Sequence, residues 1–229
     1  MFGKILRVTG IILMGVTAVV TLLGGIGTSC VAIDATRYGS MAVLADVQWL
    51  YILYVLTGVA LGVAGIHATR LLIKSRPGAY RWSLVVLVLG LAVGLLHMYT
   101  SRSLRGSSMP VDFVVYITAL TLVLFLLFRI PGIWQQVNLM GKDDHATGLG
   151  AGVAMIVAGI LILTVQLWAG PTHTLNGINY ADVWHTQLTV AGWVASLAGS
   201  AILLRNGLGL SLPRVAGSRQ RETAEKVVL

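Results

Sequence analysis

The stretch His97-Met98-Tyr99-Thr100-Ser101-Arg102-Ser103-Leu104-Arg105-Gly106-Ser107-Ser108-Met109-Pro110-Val111-Asp112 lies between two long apolar runs, as the polar tip of a central helical hairpin. Similar apolar runs precede and follow it along the chain. Hydrophobic residues make up 56% of the 229 residues and charged residues only 10%, whereas soluble domains carry about 25% charged residues. This composition predicts an integral membrane protein.

Six apolar runs are each close to the ~20 residues that an α-helix needs to cross a bilayer. We therefore predict an all-α integral membrane protein, a six-transmembrane-helix bundle built as three helical hairpins. Residues 1–213 form this domain, and residues 214–229 form a polar cytoplasmic tail that we expect to be disordered. The predicted spans are 5–26, 47–72, 82–100, 112–130, 149–169 and 184–204.

The basic residues predict the orientation of these spans. Of the 16 Lys and Arg residues, only Arg37, Arg102 and Arg105 fall on one side, and the others fall on the opposite side. By the positive-inside rule both termini are cytoplasmic, which predicts a multi-pass protein of the cell membrane. The net charge of +8 is spread between apolar runs, so we expect no nucleic-acid partner.

The first apolar run has a second interpretation. Lys4 and Arg7 precede it, and it ends at Gly27-Thr28-Ser29-Cys30, which is the layout of a bacterial lipoprotein signal. Gly27 stands where such signals carry Leu or another aliphatic residue, so we favour a first transmembrane helix. Cleavage would leave five spans. Cys30 is the only cysteine, which excludes an intrachain disulfide.

Small residues four positions apart predict where helices pack closely, because they allow two backbones to approach in lipid. The fourth predicted span (112–130) lacks such a stripe and is bulky, so we expect it to face lipid or a partner subunit. The small-residue faces are a second expected contact with other subunits. The pairs and stripes are Gly58/Gly62, Gly90/Gly94, Gly148/Gly152, Ala191/Ala195/Gly199 and Gly192/Ser196/Ser200.

The sequence places no Asp, Glu, Lys or Arg in the middle of a predicted span. Intramembrane charges normally mark proton relays and ion paths, so this pattern argues against a proton pump, a cation antiporter or a retinal protein. The chain also lacks the spacing of an intramembrane serine protease or of a phosphate-binding loop. We therefore expect a protein that is not an enzyme.

Two histidines near the outer ends of predicted helices suggest a cofactor site. His97 and His185 could serve as axial ligands of a haem b, because haem in helical bundles takes ligands from facing helices. Arg102 and Arg105 would then bind the propionates. Copper is an alternative metal, since imidazole and thioether groups suit it. Its ligands would be His97, Met98, Met109, His173 and His185.

The two outer arginines have further interpretations. With the neighbouring serines, Arg102 and Arg105 could bind a carboxylate, a phosphate or a lipid headgroup. Alternatively they pair with Asp112 and Asp182 and hold the hairpin tips together.

The outer loops are long enough to cover a small-molecule pocket, which needs an apolar concavity with a few polar groups. In architecture alone, six helices with an outer pocket resemble the substrate-binding subunits of vitamin importers. The residues that we expect to line this pocket are Gln166, Trp168, His173, Tyr180 and Trp184.

Three functions follow from these patterns. The leading hypothesis is a non-catalytic integral membrane subunit that assembles or anchors a larger membrane complex, for example a respiratory or electron-transfer complex. The second is a haem b cytochrome subunit with two histidine ligands near the outer face. The third is an outer-facing protein that binds or transports a small molecule.

Overall fold

The computed structural model describes residues 2–139, 144–175 and 177–207, and within them the chain is almost entirely helical. The predicted tail, residues 214–229, lies outside the described residues. The long helices are α1 (Phe2–Gly27), α3 (Gln48–Ile73), α4 (Ala79–Arg105), α5 (Val111–Leu127), α7 (Asp144–Leu163) and α10 (His185–Gly207).

Short elements cover the two ends of the bundle. They are α2 (Ser29–Asp34), α6 (Pro131–Val137), α8 (Val165–Ala169), α9 (Tyr180–Val183), three 3-10 helices (Ala35–Arg37, Gly39–Val47 and Gly170–Thr172) and an antiparallel pair of strands, β1 (Thr174–Leu175) and β2 (Ile178–Asn179). We call the end that carries residues 28–47, 106–110, 164–175 and 177–184 the cap end. The opposite end is the Arg7 end.

Five helical stretches are long and apolar enough to cross a membrane, and α5 with α6 would make a sixth if this bent pair forms one span. This architecture is consistent with the predicted multi-pass membrane protein. The helices are longer than the predicted spans where polar residues continue a helix beyond its apolar part. The clearest example is α4, which extends through Ser101 to Arg105.

The helix of the fourth predicted span, 112–130, ends at Leu127, and a second helix starts at Pro131. α5 has 17 residues, about 26 Å at 1.5 Å per residue, which is shorter than a typical hydrocarbon core of about 30 Å. Pro131 cannot continue a preceding helix and instead starts α6, and the axis turns by 101° between the two helices. α6 ends at Val137, and the next residue, Asn138, has a left-handed φ of 41°.

α1 occupies the centre of the bundle. It packs against α3, α5, α6 and α7, while α3, α4 and α5 pack against one another in succession. Its approach to α3 is close, because a Cβ atom on Gly25 would stand 2.7 Å from the backbone nitrogen of Val59. Towards the Arg7 end, Ile11 and Met14 of α1 are fully buried, in a cluster that includes Phe125.

α10 lies at the edge of the bundle and packs chiefly against α7. A Cβ atom on Gly152 would lie 2.9 Å from the Gly199 carbonyl oxygen, and one on Gly159 would lie 2.6 Å from the Gly192 carbonyl oxygen. The predicted small-residue face of the last span is therefore used inside the chain, against α7.

The fourth predicted span is less peripheral than its composition suggests. One face of α5 is buried against α1 and α4 through Thr118, Thr121 and Phe125. The Thr17 and Thr121 hydroxyl groups are 2.8 Å apart, and both side chains are buried. α5 therefore packs through threonines instead of the small residues that we expected at close helix contacts, and its opposite face is exposed.

Candidate functional site at the cap end

Among the predicted site residues whose side chains the structure describes, His97 is the most enclosed. It lies on α4, is 9% exposed, and stacks on the ring of Tyr54 with centroids 4.4 Å apart and planes at 15°. The ring of Tyr51 meets the same imidazole edge-on at 5.3 Å. Both tyrosines lie on α3, three residues apart, so that they share one helical face.

Hydrogen bonds fix these rings against α4. The Tyr51 hydroxyl is 2.8 Å from the Ser101 hydroxyl, and the Tyr54 hydroxyl is 3.1 Å from that of Thr100. Buried tyrosine hydroxyl groups need such partners, since an unpaired one costs about 1–3 kcal/mol. The His97 cluster (Tyr51, Tyr54, His97, Thr100 and Ser101) therefore ties α3 to α4.

The two arginines at the end of α4 have different partners. Arg102 forms an ion pair with Asp112 at 3.0 Å and donates to the Ser108 hydroxyl at 2.9 Å. The predicted pairing of Arg102 with Asp112 is therefore confirmed, and it joins the ends of α4 and α5. Arg105 instead donates to the Met109 carbonyl oxygen at 3.1 Å, and it approaches the Met41 sulfur at 2.7 Å.

His173 follows the 3-10 helix Gly170–Thr172 and reaches across to α1. Its Nε2 atom is 3.0 Å from the Gly27 carbonyl oxygen, and its Nδ1 atom is 2.9 Å from the Ala169 carbonyl oxygen. A hydrogen bond with the Cys30 side chain, followed by the bond to the Gly27 carbonyl, raises the pKa of His173 to about 9, against the opposing effect of burial. Favourable bonding of the charged form thus outweighs desolvation.

The remaining predicted pocket residues lie nearby, but they use most of their polar groups locally. The Gln166 amide is 2.8 Å from Nδ1 of His185, and Trp168 donates to the Leu161 carbonyl oxygen at 3.2 Å. Trp184 is 62% exposed. The Tyr180 side chain lies outside the described part of the chain. These predicted pocket residues remain untested as a ligand site.

The structure places the two predicted haem ligands in different surroundings. His97 is enclosed between side chains of α3 and α4, whereas His185 is exposed at the start of α10 beside Gln166. α4 packs chiefly against α3 and α5, and α10 against α7. In residues 2–139, 144–175 and 177–207, no group of three or more His, Cys, Asp or Glu side chains could hold a metal ion. The geometry lends no support to haem or copper.

Sequence reasoning missed the polar cluster at the Arg7 end. Arg7 is 3% exposed and donates to the Ser75 hydroxyl at 2.7 Å, the Asn138 carbonyl oxygen at 2.9 Å and the Thr147 hydroxyl at 2.9 Å. It therefore joins α1 to the α3–α4 turn, to the end of α6 and to α7. In the sequence Arg7 served only as a basic flank of the first span, and its partners are far away along the chain.

Comparisons with known proteins add no relative, since no family model, no curated protein and no solved structure matches the chain.

Proposed function

We propose that the chain is a non-catalytic integral membrane subunit that helps to assemble or anchor a larger membrane complex. The observation that carries this proposal is that polar side chains form hydrogen bonds and ion pairs between the helices of the chain. The His97 cluster, the Arg102–Asp112 ion pair and the bonds of Arg7 each join two or more segments of this chain. Such bonds stabilise one arrangement of helices, which is what a scaffold needs.

We further propose six spans in three hairpins, α1 with α3, α4 with α5, and α7 with α10, and both termini in the cytoplasm. α5 and α6 together would form the fourth span. The charge distribution supports this orientation, because Lys4, Arg70 and Arg205 belong to the Arg7 end, whereas Arg37 and Arg105 belong to the cap end.

We place the contact with a partner subunit on the outward face of α5. The small-residue faces are largely used within the chain, as between α7 and α10, which leaves larger side chains for an external contact. Five of them on α5 follow a three-and-four spacing, which lines one side of a helix, and each is at least 45% exposed. They are Phe113, Tyr116, Leu120, Val123 and Leu127.

A photo-crosslinking amino acid at Leu120 tests this contact in the native membrane. Val63, exposed on α3, is the matched control position. We expect one defined membrane protein to be crosslinked from Leu120 and not from Val63, and to migrate with the chain on native gels. Replacing Leu120 by Trp should displace that protein, while Val63→Trp should not. A monomer that gives no protein crosslink from either position would argue against the proposal.

A visible absorption spectrum separates the proposal from the haem alternative. We expect the detergent-purified protein, from cells able to supply haem, to show no Soret band when oxidised or after reduction with dithionite. A Soret peak with a sharp reduced α-band would contradict this, and loss of the pigment in His97→Ala and His185→Ala would then identify the ligands.

A further inference from the structure

The turn between α3 and α4 concentrates positive charge at the Arg7 end. Exposed basic residues lie at the end of α3, in the turn and at the start of α4, namely Arg70, Lys74, Arg76 and Arg81. None of them forms an ion pair or a side-chain hydrogen bond within the part of the chain that the structure describes. The acidic side chains in that part lie at or next to the cap end, namely Asp34, Asp46, Asp112 and Asp182. These carboxylates therefore do not balance the charge of the turn.

Arg70 and Lys74 continue an exposed stripe of α3 that is apolar further from the turn. Val63, His67, Arg70 and Lys74 follow one another at intervals of three or four positions, which places them on one side of the helix. All four side chains are exposed. Along this stripe the surface therefore changes from apolar to basic towards the turn.

A second exposed stripe lies beside it on α4. Trp82, Val85 and Leu89 have the same spacing, and each of their side chains is about half exposed. The rings of His67 and Trp82 meet edge-on with centroids 6.4 Å apart, and the two helices pack against each other. The two stripes therefore form one surface, basic at the turn and apolar beyond Trp82. We call these seven residues the α3–α4 surface.

We propose that the α3–α4 surface binds an anionic phospholipid, with the phosphate group at Arg70 and Lys74 and the acyl chains along the apolar side chains beyond Trp82. Guanidinium and ammonium groups form charge-assisted hydrogen bonds with phosphate oxygens. Basic clusters at the end of a transmembrane helix attract anionic headgroups, and Trp commonly lies at the boundary between headgroups and acyl chains.

The order of groups along this surface favours a lipid over a soluble anion. A free phosphate would use the basic residues alone, whereas a phospholipid also covers the apolar side chains that continue from them. The surface lies on α3 and α4, and the partner contact proposed above lies on α5. Either proposal can therefore fail without the other.

Native mass spectrometry of the full chain, purified in a nonionic detergent and stripped of lipid, measures this binding. The protein would be titrated with dioleoyl phosphatidylglycerol, which is anionic, or with dioleoyl phosphatidylcholine, which has the same acyl chains and no net charge. We expect the first phosphatidylglycerol to bind about tenfold more tightly, because each basic residue near the headgroup adds to the attraction.

The double variant Arg70→Gln/Lys74→Gln should lose most of this preference and bind phosphatidylcholine as the native chain does. Lys4→Gln/Arg205→Gln is the matched control, since it removes the same charge from exposed positions of α1 and α10 at the same end. The control should keep the preference. Equal affinities of the native chain for the two lipids would overturn the proposal, as would equal losses in the two double variants.

Soluble glycerol phosphate, added in excess, tests whether the acyl chains contribute. We expect it to leave bound phosphatidylglycerol in place, and displacement would show instead a site for soluble phosphates and overturn the lipid assignment. The thermal melt of each variant without added lipid must match that of the native chain. If Arg70→Gln/Lys74→Gln does not fold, Lys74→Gln alone, just beyond the end of α3, replaces it in the same comparison.

Discussion

At the scale of single residues, Arg7 shows how a charge can be retained inside a helical bundle. Removing a guanidinium group from water is costly, and hydrogen bonds must offset that cost. Three acceptors from separate segments surround Arg7, all within 2.9 Å. Its burial therefore makes the packing at this end depend on a single side chain.

Replacing Arg7 by Leu should destabilise the protein by about 1–3 kcal/mol, because the buried Thr147 hydroxyl group loses this donor and the part-buried bonds to Ser75 and Asn138 are lost. The measurement is the midpoint of thermal unfolding in detergent. Lys4→Leu is the matched control, since it removes the same charge from an exposed position one turn away. Equal midpoints for the two variants would show that the Arg7 bonds contribute little.

His173 makes a second prediction at this scale, a dependence of stability on pH. Its pKa rises from an ordinary 6.5 to about 9 in the folded chain. A raised pKa of a base stabilises the fold fully below pH 6.5, and this stabilisation is lost as the pH rises through about 9.

We therefore expect the unfolding midpoint to fall between pH 7 and pH 9.5, by an amount that corresponds to up to about 3 kcal/mol. The midpoint of His173→Gln should change much less across the same range. If the native chain and His173→Gln lost stability in parallel, the titrating group would have to be another residue.

At the scale of elements, the contact between α7 and α10 depends on glycine. A leucine at Gly159 would press against Ser196 and the Gly192 carbonyl oxygen, so that α10 would have to move away from α7. Because α10 has few other contacts, we expect Gly159→Leu to lower the unfolding midpoint and to expose α10 to protease. Gly90→Ala is the control, since its Cβ would meet Thr118 at an ordinary 3.7 Å. A Gly159→Leu variant as stable as Gly90→Ala would contradict this account.

Hydropathy predicted the existence of the long helices but not where they break. Pro131 cannot continue a helix, yet the 101° turn depends also on how α6 packs against the start of α1, where Gly3 meets Gln136. α7 ends at Leu163, within the predicted span 149–169, and Thr164 separates it from α8. The Thr164 hydroxyl donates a hydrogen bond to the Ile160 carbonyl oxygen at 2.8 Å. Hydropathy averaged along the chain does not detect such a local bond.

The candidate site was predicted in parts. The polar tip containing His97 and Arg102 was recognised because polar groups between apolar runs are conspicuous. The tyrosine partners of His97 were not recognised, since their contact with α4 depends on the rotation of α3 about its axis. Arg7 was missed for a similar reason, because its neighbours come from three distant segments.

At the scale of the whole molecule, the number of spans decides where the termini lie. Six spans put both termini on one side, whereas five would separate them. Reporter fusions show on which side of the membrane each terminus lies. One reporter is a fluorescent protein that folds in the cytoplasm, and the other is an alkaline phosphatase that is active only outside. Each would be placed at the N terminus, after Gly106 and at the C terminus. We expect fluorescence at both termini and phosphatase activity at Gly106. Termini on opposite sides would show that α5 and α6 form a re-entrant segment.

The central position of α1 has a consequence for biosynthesis. α1 leaves the ribosome before the helices of this chain that surround it, so its final neighbours are made after it. Thr121, the partner of Thr17, is translated 104 residues after it. Thr147, a partner of Arg7, is translated 140 residues after Arg7. Ser75, Asn138 and Thr147 are made one after another, so the guanidinium group of Arg7 gains the last of these acceptors only when α7 is translated. A chain that ends before α7 would therefore lack the Thr147 acceptor, and its Arg7 guanidinium group would keep one hydrogen bond fewer.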